Sequence, residues 1–258
     1  MCRHAAYIGP AISLAQCFLE PEHGLLQQAE HPREMRVGRV NADGFGIGWF
    51  IDRDKPAAYK NIQPIWSDTN LSALGVSLFS TQWIGLVRGA SPGLGVSIDN
   101  THPFYDNRWH FTLNGIITDF ANTLRPAINN RLSDDISATI MGHTDAEFIF
   151  ALMRQFSLEE PDSSTTQLLQ KVVDFLEEVA GDIEIALSVL VCEKDSMYAI
   201  RHSVNLPFPT LYYSEEYVGG VAVASEPMTD RRYWKLMPEQ SLLIAEANKR
   251  VRFERVGK

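Results

Sequence analysis

The chain has 258 residues, of which 45% are hydrophobic and 21% charged, and carries a formal net charge of −9. Such a composition at this length builds a sizeable core. The acidic balance, with no dense stretch of Lys and Arg to offset it, argues against nucleic acid or an anionic membrane as partner. The 3 cysteines, Cys2, Cys17 and Cys192, form no Cys-x-x-Cys pair and give neither a disulfide framework nor a zinc knuckle. An odd count suits a reducing, cytoplasmic compartment.

The chain opens Met1-Cys2-Arg3-His4. Methionine aminopeptidases remove an initiator Met ahead of a small side chain such as Cys, which would leave one residue bearing both a thiol and a free α-amine. A terminal amine has an ordinary pKa of about 7.7–8.0 and suits the role of base for a thiol nucleophile. Residues 2–8 read as a short strand and Leu14 to Leu19 as the start of a helical turn. The run Ala5 to Leu19 is moderately apolar, but Gly9-Pro10 and Gln16 interrupt it and no small-x-small cleavage site precedes Glu20-Pro21, so it is not read as a signal peptide. No run approaches the roughly 20 apolar residues of a membrane span.

Asn41-Ala42-Asp43-Gly44-Phe45-Gly46-Ile47-Gly48-Trp49-Phe50 places glycine at every second position and leads into a strand over Gly44 to Ile51. The spacing is not the G-x-G-x-x-G of a dinucleotide site. Alternate glycines clear one face of a strand, either for another backbone or for a ligand. Asp68 to Phe79 is predicted to be helical with Asp68 as N-cap. Trp83 to Arg88 and Trp109 to Leu113 are strand-like. Arg88, followed by Gly89-Ala90-Ser91, is either a side chain snorkelling from a sheet edge or a guanidinium held to fork a carboxylate. Asn114-Gly115 is a strong hairpin signal, yet Ile116-Ile117 runs at once into Thr118-Asp119 and leaves little returning strand. The other reading is an oxyanion hole made of the Asn114 amide and the Gly115 N–H.

Thr144-Asp145-Ala146-Glu147 has the form of a capping box opening a helix through Met153. Asp145 is either a carboxylate favoured at a helix N-terminus or a partner for a substrate ammonium. Glu159 to Ser164 reads as a loop, and residues 165–180 as an amphipathic helix. From Ile183 onward come short strands at Ile185 to Val191, Met197 to Arg201, Thr210 to Tyr213, Gly219 to Ala224 and Ser241 to Ala245. Strands, then helices, then strands predict two sheets with helices outside them, in one domain over residues 1–258. Cys2, His4 and one of His102, His110 and His143 lack the spacing of a zinc site, and neither a P-loop nor a G-x-S-x-G elbow is present.

In this order, Met1-Cys2-Arg3, the Asn41 to Trp49 run, Val87-Arg88, His102-Pro103-Phe104, Asn114-Gly115, Thr144 to Glu147 and Ala224-Ser225-Glu226-Pro227 with Trp234 resemble the class II, N-terminal-nucleophile glutamine amidotransferases. The resemblance covers about residues 2–235. Met1-Cys2-Arg3-His4, Gly24-Leu25-Leu26 and the Asn-Ala-Asp-Gly run are similar to the stand-alone members, among them the ergothioneine-biosynthesis amidohydrolases of γ-glutamyl-hercynylcysteine sulfoxide.

The resemblance implies an α+β fold, a four-layer αββα sandwich of two mostly antiparallel sheets flanked by helices, with Cys2 starting a strand at the lip of a cleft. It implies no metal and no cofactor. Cys2 would be the nucleophile and Asn114 with the Gly115 N–H the oxyanion hole. Arg88 would grip the α-carboxylate of a small-molecule γ-glutamyl substrate and Asp145 its ammonium, with His102 also on the binding side. A partner protein or a second copy is left open. So are two other readings: a glutaminase-like or glutathione-degrading γ-glutamyl peptidase subunit, and an idle γ-glutamyl-binding protein. Leu113 stands where related chains often carry His, and Ala146 where Ser or Thr is common.

Overall fold

The structure is a computed structural model that describes residues 1–51, 54–90, 93–247 and 250–257. In chain order its strands and helices are β1 (Arg3–Ser13), α1 (Leu25–Glu30), β2 (Phe45–Ile51), β3 (Lys55–Asn61), α2 (Leu71–Ser77), β4 (Phe79–Val87), β5 (Phe104–Tyr105), β6 (His110–Ile117), α3 (Leu124–Arg131), α4 (Asp134–Ser137), α5 (Asp145–Glu159), α6 (Thr165–Ala180), β7 (Ile185–Glu193), β8 (Ser196–Val204), β9 (Tyr212–Tyr217), β10 (Gly220–Ala224), β11 (Lys235–Leu236), β12 (Ser241–Glu246) and β13 (Val251–Arg255). One sheet has the order β11-β9-β10-β1-β4-β2-β3 and the other β13-β12-β8-β7-β6-β5. The paired strands run antiparallel.

Side-chain alternation separates three cores, as a period of two dictates. On β1, Ala5 and Tyr7 pack outward with Phe18 and Leu25, while Ala6 and Ile8 pack inward with Leu190 and Ala199 of the second sheet. On β7, Leu190 and Cys192 face the first sheet, and Leu187, Val189 and Val191 face α5 and α6. Helix, sheet, sheet, helix is the result: the four-layer αββα arrangement.

Long-range pairing changes several local expectations. β1 runs on to Ser13 instead of stopping at residue 8, because a register shift between Ile8 and Ile12 absorbs Gly9-Pro10. The helix expected over 68–79 shrinks to α2. The Asp68 carboxylate accepts from the Asn70 N–H at 2.9 Å and from Tyr59 and Asn61 at 2.7 Å, tying the loop to β3, and Phe79 already belongs to β4. Asn114-Gly115 makes no turn: β6 passes straight through it because β7 pairs Asn114 with Ser188 and Gly115 with Leu187. Residues Thr210 and Leu211 precede the strand expected to start there, since β9 begins at Tyr212.

The glycines of β2 serve packing. A Cβ on Gly46 would collide with the His102 carbonyl, and one on Gly48 would lie 2.7 Å from the His110 ring. The face they clear is filled by protein from the 102–110 segment, not by a ligand.

Candidate active site

β1 starts at Arg3, opposite Val87, the last residue of β4. Cys2 and Arg88 therefore leave neighbouring strand ends side by side. Cys2 is half-buried and its Sγ donates to the Gly89 carbonyl at 3.8 Å. Burial pushes the thiol above its ordinary pKa, and the hydrogen bond at Gly89, the chain-terminal amine, Arg88 and Arg3 offset this only in part. A thiol so raised becomes a nucleophile near neutral pH only with a base beside it. The chain-terminal amine, here on Met1, donates to the Val37 carbonyl at 3.0 Å, and burial lowers its pKa from the usual value. The Asn41 to Gly44 run borders the same place: the Arg88 N–H donates to the Gly44 carbonyl, the Asp43 N–H to the Arg88 carbonyl, and Asp43 Oδ2 accepts the Ala90 N–H at 2.8 Å. Ser91, the end of the segment singled out in the sequence, lies outside the described residues.

Arg3, the next residue, is 1% exposed and faces Glu226 at 3.3 Å, which is 1% exposed as well. The Glu226 carboxylate also accepts from His23 Nε2 at 2.8 Å and from the backbone N–H groups of Arg33 and Glu34. These donors and Arg3 outweigh burial and hold its carboxyl below the ordinary value. One buried carboxylate thus fixes the start of β1 to the 31–34 loop, and removing either member of such a pair costs about 3–5 kcal/mol.

The opposite wall comes from β6. Phe111 and Leu113 point into the helix-side core, so Thr112 and Asn114 point at the first sheet. There they meet His4, fully buried, whose Nδ1 lies 3.0 Å from Thr112 Oγ1 and whose Nε2 lies 3.1 Å from Ser188 Oγ. Ser188 spends its one hydroxyl proton on the Asn114 carbonyl at 2.8 Å. His4 Nε2 must therefore donate to Ser188, and Nδ1 must accept from Thr112. Burial, then the charge of Arg3, pushes the imidazole pKa down to about 3, which keeps the ring neutral as this scheme requires. Ser225 closes the set: its Oγ accepts the His4 N–H at 3.0 Å and the Asn114 Nδ2 at 3.5 Å. Asn114 Oδ1 is buried without a partner among the described residues.

The Gly115 N–H follows from strand parity. The Leu113 N–H leaves β6 on the edge away from β7 and donates to His102 Nδ1 at 3.4 Å. Residue 115 lies two positions on and its N–H leaves the same edge, outside the β6–β7 ladder. A Cβ there would strike the Ala186 carbonyl, so glycine is needed on packing grounds as well. His102 is 4% exposed, with burial and the charges of Lys60, Arg88 and His4 holding its pKa well below the usual value. Its neutral ring packs edge-on against Phe104 and caps the open edge of β6.

Arg88 is 3% exposed. Its guanidinium reaches only two carbonyls, Asp43 at 3.4 Å and Gly95 at 3.3 Å. Among the described residues no carboxylate forms an ion pair with it, although the charge of Asp43 acts on it from farther off. Asp145 is the first residue of α5, whose N-cap Thr144 accepts the Glu147 N–H at 3.3 Å. The expected reciprocal bond is absent, because the Glu147 carboxylate turns to the Met141 and Gly142 N–H groups, both at 2.8 Å. Asp145 Oδ1 takes the Ala146 N–H, and burial raises the carboxyl pKa to about 6 against the pull of the backbone hydrogen bonds. No cation pairs with it among the described residues.

Cys2 and Arg88 are thus neighbours, Asn114 is joined to the Cys2 strand through Ser225 and His4, and His102 shares the β6 edge with Gly115. Asp145 makes no hydrogen bond or ion pair with any of them and reaches the group only through intervening side chains. Sequence reasoning missed His4, Ser188, Ser225 and Glu226 as parts of this arrangement. The Met1 to His4 opening and the Ala224 to Pro227 segment are the visible signals for His4, Ser225 and Glu226, and neither gives those residues a role. Among the described residues no group of three or more His, Cys, Asp or Glu side chains could hold a metal, and no helix is long and apolar enough to cross a membrane.

Residues 30–204 match the family described as glutamine amidotransferases class-II. The γ-glutamyl-hercynylcysteine sulfoxide hydrolase of Mycolicibacterium smegmatis is 27% identical over 243 residues, covering 94% of this chain and 95% of that protein. The protein of the same name from Mycobacterium tuberculosis is 26% identical over 245 residues, covering 94% and 92%. Among solved structures, a glutamine aminotransferase class-II domain protein from Silicibacter pomeroyi superposes with a TM-score of 0.73 at 25% identity, covering 100% of both chains.

Proposed function

The chain belongs to the class-II glutamine amidotransferases, and we propose that within this family it is a γ-glutamyl amidohydrolase that works through an N-terminal Cys2. The observation that carries this reading is Arg88: a guanidinium almost wholly buried beside the nucleophile, with only carbonyls as partners among the described residues. Such a group calls for a carboxylate, which the α-carboxylate of a glutamyl substrate supplies. Asp145, an unpaired carboxyl at the other end, suits the α-ammonium.

The chemistry follows from these positions. Removal of Met1 frees the Cys2 amine, which takes the thiol proton as Sγ attacks the γ-carbonyl carbon. Charge gathers on the carbonyl oxygen, where Asn114 Nδ2 and the Gly115 N–H receive it. The amine then passes the proton to the departing nitrogen, the C–N bond breaks, and a γ-glutamyl thioester remains. Water attacks the thioester, glutamate leaves and Sγ recovers its proton. No metal or organic cofactor is required by these steps.

The relatives that match over nearly their full length favour γ-glutamyl-hercynylcysteine sulfoxide as the substrate and one domain over residues 1–258 as the working unit. The three free cysteines suit the cytoplasm. The test is kcat/KM for glutamate release from the sulfoxide conjugate, glutathione and glutamine, measured on protein shown by mass to lack Met1. The conjugate is expected to be turned over with the highest kcat/KM of the three. No glutamate release from any of them would overturn the reading.

A further inference from the structure

The two residues assigned to the ends of the glutamyl group sit on different elements, one just past β4 and the other at the start of α5, and one buried side chain bridges the loops beside them. Asn100 is 4% exposed. Its Nδ2 donates at 3.1 Å to the Gly95 carbonyl, the same oxygen that accepts Arg88 Nη2. Its Oδ1 accepts the His143 N–H at 2.9 Å, two residues ahead of Asp145. Asn100 is itself fixed by its own loop: its N–H donates to Ser97 Oγ at 3.2 Å, and Thr101 Oγ1 donates to the Ser97 carbonyl at 2.7 Å. On the far side, the Glu147 carboxylate holds the Met141 and Gly142 N–H groups, and a Cβ at Gly142 would strike Asn100 Oδ1. The loop before α5 is therefore pinned by two side chains, one of which also sets the carbonyl that steadies Arg88.

We propose that Asn100 is a positioning residue that sets the spacing between the carboxylate-reading Arg88 and the ammonium-reading Asp145, and so fixes the selectivity for γ-glutamyl over acyl groups that carry only one of the two charges. The inference rests on the reading of the site as a γ-glutamyl pocket. A rigid spacing matters because a zwitterionic end binds well only when both charges are met at once; a site that meets one at a time treats a substrate lacking the other charge almost as well. The amide suits the task, since it presents one donor and one acceptor in a fixed plane, one for each loop.

The experiment compares kcat/KM on three amides that share one leaving amine: the γ-glutamyl amide, the glutaryl amide without the ammonium and the 4-aminobutyryl amide without the carboxylate. Wild-type protein should prefer the γ-glutamyl amide over both; if it does not, the γ-glutamyl reading itself fails. In Asn100→Ala both preferences should shrink by about tenfold, the worth of one or two hydrogen bonds, through KM and with kcat on the γ-glutamyl amide within about threefold. Asn100→Asp keeps the acceptor for the His143 N–H and loses the donor to the Gly95 carbonyl. It should recover the preference that depends on the ammonium and not the one that depends on the carboxylate. If Asn100→Ala does not fold, Asn100→Asp decides alone by that asymmetry. Preferences unchanged from wild type, or both lost equally in Asn100→Asp, would overturn the proposal.

Discussion

The end of the site proposed to hold the nucleophile is built on strands, and the end proposed to read the glutamyl group stands where a strand gives way to a loop and where a loop gives way to a helix. Cys2 is fixed by the ladder that begins at Arg3 and Val87. Asn114 lies inside β6 with β7 beside it, and His4, Thr112, Ser188 and Ser225 bond the two sheets together between them. Arg88 and Asp145, in contrast, stand just past a strand and at the first turn of a helix, and their positions depend on single side chains such as Asn100 and Glu147. Attack on a carbonyl tolerates little displacement, and ladders with buried hydrogen bonds supply that rigidity. Reading a zwitterion needs two charges at the right separation, and loops offer that separation as something a few residues set. Changes at the first end should therefore appear in kcat and changes at the second in KM.

The largest effect short of losing the nucleophile is expected at Asn114. Asn114→Ala removes a side-chain donor to the oxyanion, and kcat should fall by about 10²- to 10³-fold with KM near its wild-type value. A rise in KM with kcat unchanged would move Asn114 to the binding end and break the contrast. At Asp145 the effect should be smaller and lie in KM. Asp145→Asn should raise KM by about 10- to 100-fold, the worth of a charge-assisted hydrogen bond.

Asp145 also has a pH signature. Its carboxyl titrates at about 6, raised from 3.8 by burial, and only the ionised form draws in an ammonium. In wild type kcat/KM should fall as pH drops through about 6, and this limb should vanish in Asp145→Asn. The stability sign is opposite. A carboxyl with a raised folded-state pKa contributes stability that is complete below the unfolded value and is lost as pH rises through the folded one, so the ionised carboxylate is a cost at neutral pH. Asp145→Asn should accordingly melt a few degrees higher than wild type at pH 7. A lower Tm there would mean that the carboxylate has a stabilising partner after all.

What was legible in the sequence divides along similar lines. The amphipathic helix over 165–180 is α6 to the residue, because its 3.6 period and Ser164 cap are local facts. Thr144 is the cap expected before α5, yet the second half of the box failed once Glu147 found two loop amides nearer than the N-cap. Asn114-Gly115 reads locally as a turn and becomes mid-strand only because β7, some seventy residues later, pairs across it. Cys2, Arg88, Asn114 and Asp145 stood out through motif order. The roles of their supports did not: His4 and Ser225 lie in quoted motifs without a function attached, Ser188 and Asn100 are ordinary polar residues elsewhere in the chain, and register and loop packing bring the four into place. The family match begins at residue 30 and leaves the proposed nucleophile outside it, so Cys2 is the position to test directly.

The measurement is the intact and peptide mass of the enzyme quenched with acid during turnover of a γ-glutamyl substrate. The expected spectrum lacks Met1 and carries one γ-glutamyl group on the Cys2 peptide, and the Cys2→Ala protein shows neither the adduct nor activity. An active sample that retains Met1, or undiminished hydrolysis by Cys2→Ala, would contradict the N-terminal thiol mechanism.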